Sequence, residues 1–256
     1  MIGVIGGSGF YEMEGAVIKD EISLDTPYGK PSSYFEIMEF GGKDMVFLNR
    51  HGKKHSFPPH MVNYRANLYG LKELGVKEVL SFSAAGGINK TVGVIVIPDN
   101  AIDMTSGRAS TYSEEGRVFH VDLTSPFCPD MRRRLMMFAE DLEIPVSSGV
   151  YVCTNGPRLE TAAEIRMYER IGADIVGMTL FPECVLAREL GICFANISVV
   201  TNFAAGVAND KLSSGEVLAN MEKHSYHLQS ILTYFLNSVQ GGCGCSGSLD
   251  GAGMGQ

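Results

Sequence analysis

Apolar and polar positions follow two different periods along this chain, and the switches between them mark its elements. Residues 2–5 (IGVI) and 194–200 (FANISVV) carry no charge and read as strands buried on both faces. IMEF and MVFL flank Gly41-Gly42-Lys43-Asp44, which predicts a hairpin within the strands and turns of residues 17–48. Met61, Tyr64, Leu68, Leu71 and Leu74 recur at helical spacing, and Gly75 stops them. VKEVLSF, VIVIP, VSSGVYVCT and DIVGM read as further strands. Between them lie helices over Pro129 to Leu142, from Pro157 to Gly172, and from Pro182 to Gly191. Residues 103–120 lack a period and read as a loop ending at His120. Ser213-Ser214-Gly215-Glu216 reads as the capping box of a long last helix. Strands alternating with helices predict an α/β fold, one domain with a central mixed sheet flanked by helices.

The boundaries that follow are a domain over residues 1–240 and a flexible Gly/Ser/Cys tail over 241–256. With 256 residues, 45% of them hydrophobic, the chain can bury one large core, and no interior Gly/Ser/Pro linker divides it. A net charge of -8 argues against nucleic-acid and membrane-surface binding, while leaving room for a small anion held by local groups. No apolar run reaches bilayer length, and the chain opens on a strand rather than a signal-like block. The six cysteines are scattered, which fits a reducing, cytoplasmic setting. Cys243 and Cys245 alone make a poor zinc site, and His224 with His227 lack a third ligand, so no metal is expected.

Candidate chemistry sits where strands end. Gly6-Gly7-Ser8-Gly9 follows the first strand and can turn backbone N–H groups and a hydroxyl toward an anion, or form a plain tight turn. It is neither a dinucleotide-binding fingerprint nor a P-loop. Arg50 and His51 follow the MVFL strand, where Arg50 can grip a phosphate bidentately and His51 can donate when protonated; a solvated loop is the competing reading. Ser83-Ala84-Ala85-Gly86-Gly87 ends another strand in small residues. Glu160 sits near the positive end of a helix. Asn202 ends the strand of residues 194–200 and offers a donor beside an acceptor, or closes a turn.

Taken together, IGGSG (5–9), NRHG (49–52), VNYRAN (62–67), SAAGG (83–87), SPFCP (125–129), GPRLET (156–161), GMT (177–179) and VVTN (199–202) resemble the trimeric purine nucleoside phosphorylase and methylthioadenosine phosphorylase family. The resemblance runs in order from residue 2 to about Phe235. It implies that Ser8, Arg50, His51, Ser83 and the Ala84 backbone hold phosphate, with Thr179 near both phosphate and ribose. It places Met178 under the ribose, Leu159 against the purine in aliphatic contact, and His120 at the neighbouring subunit's 5′ end, so that a trimer or hexamer is implied. Inorganic phosphate is the co-substrate and no cofactor is expected.

In such an enzyme phosphate is the nucleophile, and the site positions it while stabilising charge on the leaving purine. The resemblance makes Asn202 the donor to N7 and Glu160 the acceptor of the N1–H that 6-oxopurines carry and adenine lacks. Methylthioadenosine enzymes have Asp and a small polar residue at these two places. Ser214 stands where nucleoside phosphorylases have a His for the 5′-hydroxyl and methylthio enzymes an apolar residue. The reading is S-methyl-5′-thioinosine as substrate, with an inosine/guanosine phosphorylase or a methylthioadenosine phosphorylase as the alternative. A dinucleotide-dependent oxidoreductase lacks its fingerprint here, and a non-catalytic nucleoside-binding module would differ by releasing no base.

Overall fold

Period-two alternation along the strands decides what each face of the sheet packs against. A computed structural model describes residues 1–11, 13–208, 214–238 and 242–253. In chain order these form β1 (Ile2–Gly6), β2 (Val17–Ile22), β3 (Phe35–Phe40), β4 (Lys43–Asn49), α1 (Tyr64–Glu73), β5 (Glu78–Gly87), β6 (Ile95–Val96), β7 (Asn100–Asp103), α2 (Pro129–Asp141), β8 (Val146–Ser147), β9 (Val150–Cys153), α3 (Ala162–Arg170), β10 (Ile175–Gly177), α4 (Leu180–Glu189), β11 (Cys193–Phe203) and α5 (Ser214–Asn237). The fold is α/β with one mixed sheet, as the sequence pattern predicts.

Val4, Phe47, Leu80, Phe82, Ile197 and Val199 point into a core shared with Met131 and Leu135 of α2 and with Met221 and Phe235 of α5. Their neighbours Ile5, Leu48, Val79, Phe194 and Val200 point the other way, onto Leu68 and Leu71 of α1 and Leu186 and Ala187 of α4. Each such side chain contributes about 1.5–3 kcal/mol through burial, so a one-residue slip in register would be very costly.

The centre of the sheet is β5, parallel to β1 and, along its whole length, to β11. The carboxyl ends of these three strands therefore open on one side, where α/β sheets bind ligands. A bulge between Val200 and Asn202 breaks the β5–β11 register and sets Asn202 opposite Gly86. A Cβ at Gly86 would sit 3.2 Å from Val176 Cγ1, a tight contact, and 3.5 Å from Asn202 Nδ2, an ordinary one.

Three expectations change. The helix placed from Pro157 starts only at Ala162, because Thr161 caps it by a reciprocal capping box with Glu164. Glu160 thus precedes the helix rather than sitting inside its first turn. The tail expected to be flexible is docked over its described part. Cys245 is buried, Ser248 Oγ donates to Arg188 O at 2.5 Å, and His120 N–H donates to Ala252 O at 2.9 Å. Finally, the cysteines are not all scattered: the start of α2, the start of β11 and the docked tail bring Cys128, Cys193, Cys243 and Cys245 together. Ser213, half of the expected capping box of α5, lies outside the described residues.

Candidate functional site

The strand ends surround a cavity of about 750 Å³. Of the residues predicted from sequence, Ser8, Arg50, His51, Ser83, Ala84, Leu159, Glu160, Met178, Thr179 and Asn202 all line it. Hydrophobic residues at Pro58, Pro59, Val176, Val217 and Leu218 complete its walls.

Arg50 does not present the free fork expected for a phosphate. It is 1% exposed, and Nε and Nη2 donate to the two carboxylate oxygens of Glu183 at 2.5 and 2.9 Å. Nη2 also donates to Ser81 Oγ and Nη1 to Phe82 O, which leaves one Nη1–H of the five donors. Burial opposes the Arg50 charge, but the adjacent Glu183 outweighs it and raises the pKa above the usual arginine value. The network continues from Ser81 through Asn196 to Ser83 and Ser198, so the Ser83 hydroxyl is committed inside the sheet.

His51 is corrected in the same way. Its Nδ1 lies 2.8 Å from Phe57 O, and since a carbonyl only accepts, Nδ1 carries the proton. Burial, then the Arg50 charge, pushes the pKa down to about 3, against the opposing pull of the Phe57 carbonyl. His51 is therefore neutral at pH 7, and its Nε2 is an acceptor rather than a donor. Arg50 is the one cation among the described lining residues, and it is paired. Ser8 and Thr179, both neutral, line the same cavity. Gly7 has no room for a side chain, since a Cβ there would sit 2.4 Å from Phe82 O.

Glu160 and Asn202 are both oriented. Thr154 Oγ1 donates to Glu160 Oε1 at 2.6 Å, which leaves Oε2 to accept. Thr201 Oγ1 donates to Asn202 Oδ1 at 2.9 Å, which fixes the amide so that Nδ2 is its donor end. One Nδ2–H reaches Phe203 O at 2.9 Å and the other remains. An acceptor and a donor, each held by a neighbouring threonine, line the same cavity.

Comparison with known proteins places the chain in a family. The model of the phosphorylase superfamily matches residues 1–237. The chain belongs to the phosphorylase superfamily. A probable S-methyl-5′-thioinosine phosphorylase of Thermodesulfovibrio yellowstonii is 49% identical over 225 residues, covering 86% of this chain and 84% of that protein. A 6-oxopurine nucleoside phosphorylase of Pyrococcus furiosus is 43% identical, covering 98% of both. Among solved structures, a methylthioadenosine phosphorylase from an antarctic soil metagenomic library superposes with a TM-score of 0.91 at 36% identity, covering 99% of this chain and 92% of that one.

Two predicted residues of this phosphorylase-superfamily chain lie apart from the cavity or outside description. His120 is exposed, on the loop that meets the tail, and is not among the lining residues. Ser214 opens α5, and its side chain is not described; Val217 and Leu218 in the first turn of that helix do line the cavity. Sequence reading missed Glu183, although an acid inside the apolar run LFPECVLA signals a buried partner. It also missed Thr154 and Arg108. Arg108 donates to Met178 O and Asn155 O, both at 2.8 Å, and so ties together the backbone of two lining loops.

Proposed function

We propose that this chain cleaves the glycosidic bond of a 6-oxopurine nucleoside with phosphate, S-methyl-5′-thioinosine foremost, giving hypoxanthine and 5-methylthioribose 1-phosphate. The observation that carries the reading is the Glu160–Asn202 pair in one cavity, each oriented by a threonine. The 43–49% identical relatives named for 6-oxopurine and methylthioinosine substrates support the same choice. A phosphate oxygen forms the bond to C1′ while the C1′–N9 bond breaks and its electron pair enters the purine. Asn202 Nδ2–H meets the charge at N7, and Glu160 Oε2 accepts from N1–H. Donors fixed before the reaction do not have to reorganise as charge develops.

Phosphate sits, in this reading, among the 7–9 turn, Ser8, the Ala84 backbone, Thr179 and the remaining Arg50 Nη1–H. Neutral His51 Nε2 accepts from the hydroxyl of HPO₄²⁻, a role for which an imidazolium would be useless. Met178 packs under the ribose and Leu159 against the base. Val217 and Leu218 line the cavity beside Ser214, which favours an apolar 5′-methylthio group over a 5′-hydroxyl. We further read the enzyme as a trimer or hexamer in which His120 completes a neighbour's site, working in the cytoplasm, with inorganic phosphate as co-substrate and no cofactor in the reaction. No helix among the described residues is long and apolar enough to cross a membrane.

The test is base release from S-methyl-5′-thioinosine with and without phosphate. Release should require phosphate and saturate with it, and Arg50→Lys should raise the phosphate KM more than the nucleoside KM. Phosphate-independent release, or none at all, would overturn the reading.

A further inference from the structure

Four cysteines from three separate parts of the chain converge far from the cavity. Their sulfur atoms all lie within 4.8 Å of one another. Cys128 stands at the N-cap position of α2, Cys193 begins β11, and Cys243 and Cys245 come from the tail. Cys128, Cys193 and Cys245 are buried and Cys243 is half-buried. No cysteine is among the described residues that line the cavity. Cys193 and Asn202 are at opposite ends of β11, ~30 Å apart at the rise of a strand.

We propose that these four thiolates bind one zinc-class divalent ion that fastens the C-terminal segment to the body of the protein. Zinc–sulfur bonds of about 2.3 Å in a tetrahedron place sulfurs ~3.8 Å apart, within the spread of this cluster. Cys193 Sγ and Cys243 Sγ are 3.3 Å apart, well beyond the length of a disulfide, ~2.05 Å. Two features suit the negative charge of a tetrathiolate. Arg188 Nη1 donates to Cys245 Sγ at 3.5 Å, and the amino end of the thirteen-residue α2 meets Cys128.

The ion also accounts for how this tail stays docked. Residues 242–253 offer only Leu249 and Ala252 as apolar anchors besides the cysteines, and they include five glycines. Ordering such a segment is entropically costly, and few apolar contacts offset it. An ion shared by Cys128, Cys193 and the tail supplies that free energy through metal binding, as in small zinc modules. Its role is structural: all four positions are ligands, with no open site for substrate.

The experiment uses the full chain, purified under reductant. Elemental analysis should find about one zinc per chain, and cobalt added after chelation should give the intense charge-transfer and d–d bands of a tetrahedral thiolate site. Cys245→Ser and Cys128→Ser should lose the thiolate-rich spectrum, while Cys184→Ala, a buried cysteine elsewhere, should keep it. Removing the ion from the wild type should lower Tm and expose the tail to protease, with kcat at moderate temperature changed less than twofold. The wild-type cobalt spectrum decides the matter even if a variant fails to fold. A reduced chain that takes up neither zinc nor cobalt overturns the proposal. So does an isolated chain whose intact mass lacks the thiol hydrogens of these cysteines, since the sulfurs would then be paired in disulfides.

Discussion

His51 shows how much the surroundings of one residue decide. The same imidazole that reads as a phosphate donor in the sequence is neutral in the fold, because burial and the Arg50 guanidinium both oppose its protonation. The unfolded chain binds a proton here below pH 6.5 and the folded chain does not until about pH 3. His51 therefore adds nothing to the pH dependence above 6.5 and subtracts stability as pH falls from 6.5 toward 3, at most about 1.4 kcal/mol per pH unit. Urea unfolding at pH 7.5 and 5.5 should show this. Wild type should lose about 1 kcal/mol more between the two than His51→Asn, whose amide can still donate to the Phe57 carbonyl. Equal losses would mean that His51 is protonated in the folded protein. Arg50 teaches the converse lesson. An Arg at a strand end is visible in sequence, but its partner Glu183 lies 133 residues away, and only the fold shows that most of its donors are already in use.

At the scale of elements, the long unbroken apolar runs were legible. β1 and β11 fall where IGVI and FANISVV predict them, and α2 starts at Pro129 as its proline suggests. The glycine-rich strand ends were legible too, because small residues after a buried strand have few other uses. The start of α3 was not, since Pro157 is a weaker start signal than the reciprocal bonds of Thr161 and Glu164. The bulge at Val200–Asn202 was also hidden. It depends on pairing with β5 and leaves no mark on the period of its own strand, yet it sets where Asn202 stands. The docked tail was missed because its composition alone reads as mobile. The cysteines that hold it sit 50 and more residues away, and proximity across that distance is a property of topology rather than spacing.

At the scale of the whole molecule, the residues that read as a family motif converge on one cavity, while His120 does not join them and stands exposed. A trimer gives that exposure a purpose, so sedimentation should find a trimer or a multiple of it, and a fully active monomer at assay concentration would contradict the shared site. The central claim is base choice through Glu160 and Asn202. With adenine, N1 would face the Glu160 carboxylate, two acceptors buried against each other. That mismatch costs roughly 1–3 kcal/mol or more, about ten- to a hundredfold or more in kcat/KM. Asn202→Asp should narrow the gap without reversing it, since a protonated Asp can donate to N7 and accept from the adenine amino group while Glu160 still opposes N1. The most direct measurement is kcat/KM for S-methyl-5′-thioinosine against S-methyl-5′-thioadenosine in wild type and in Asn202→Asp. The predicted result is a wild-type preference for the inosine form of at least about tenfold, reduced in the variant; a wild type that prefers the adenosine form contradicts Glu160 as the N1–H acceptor.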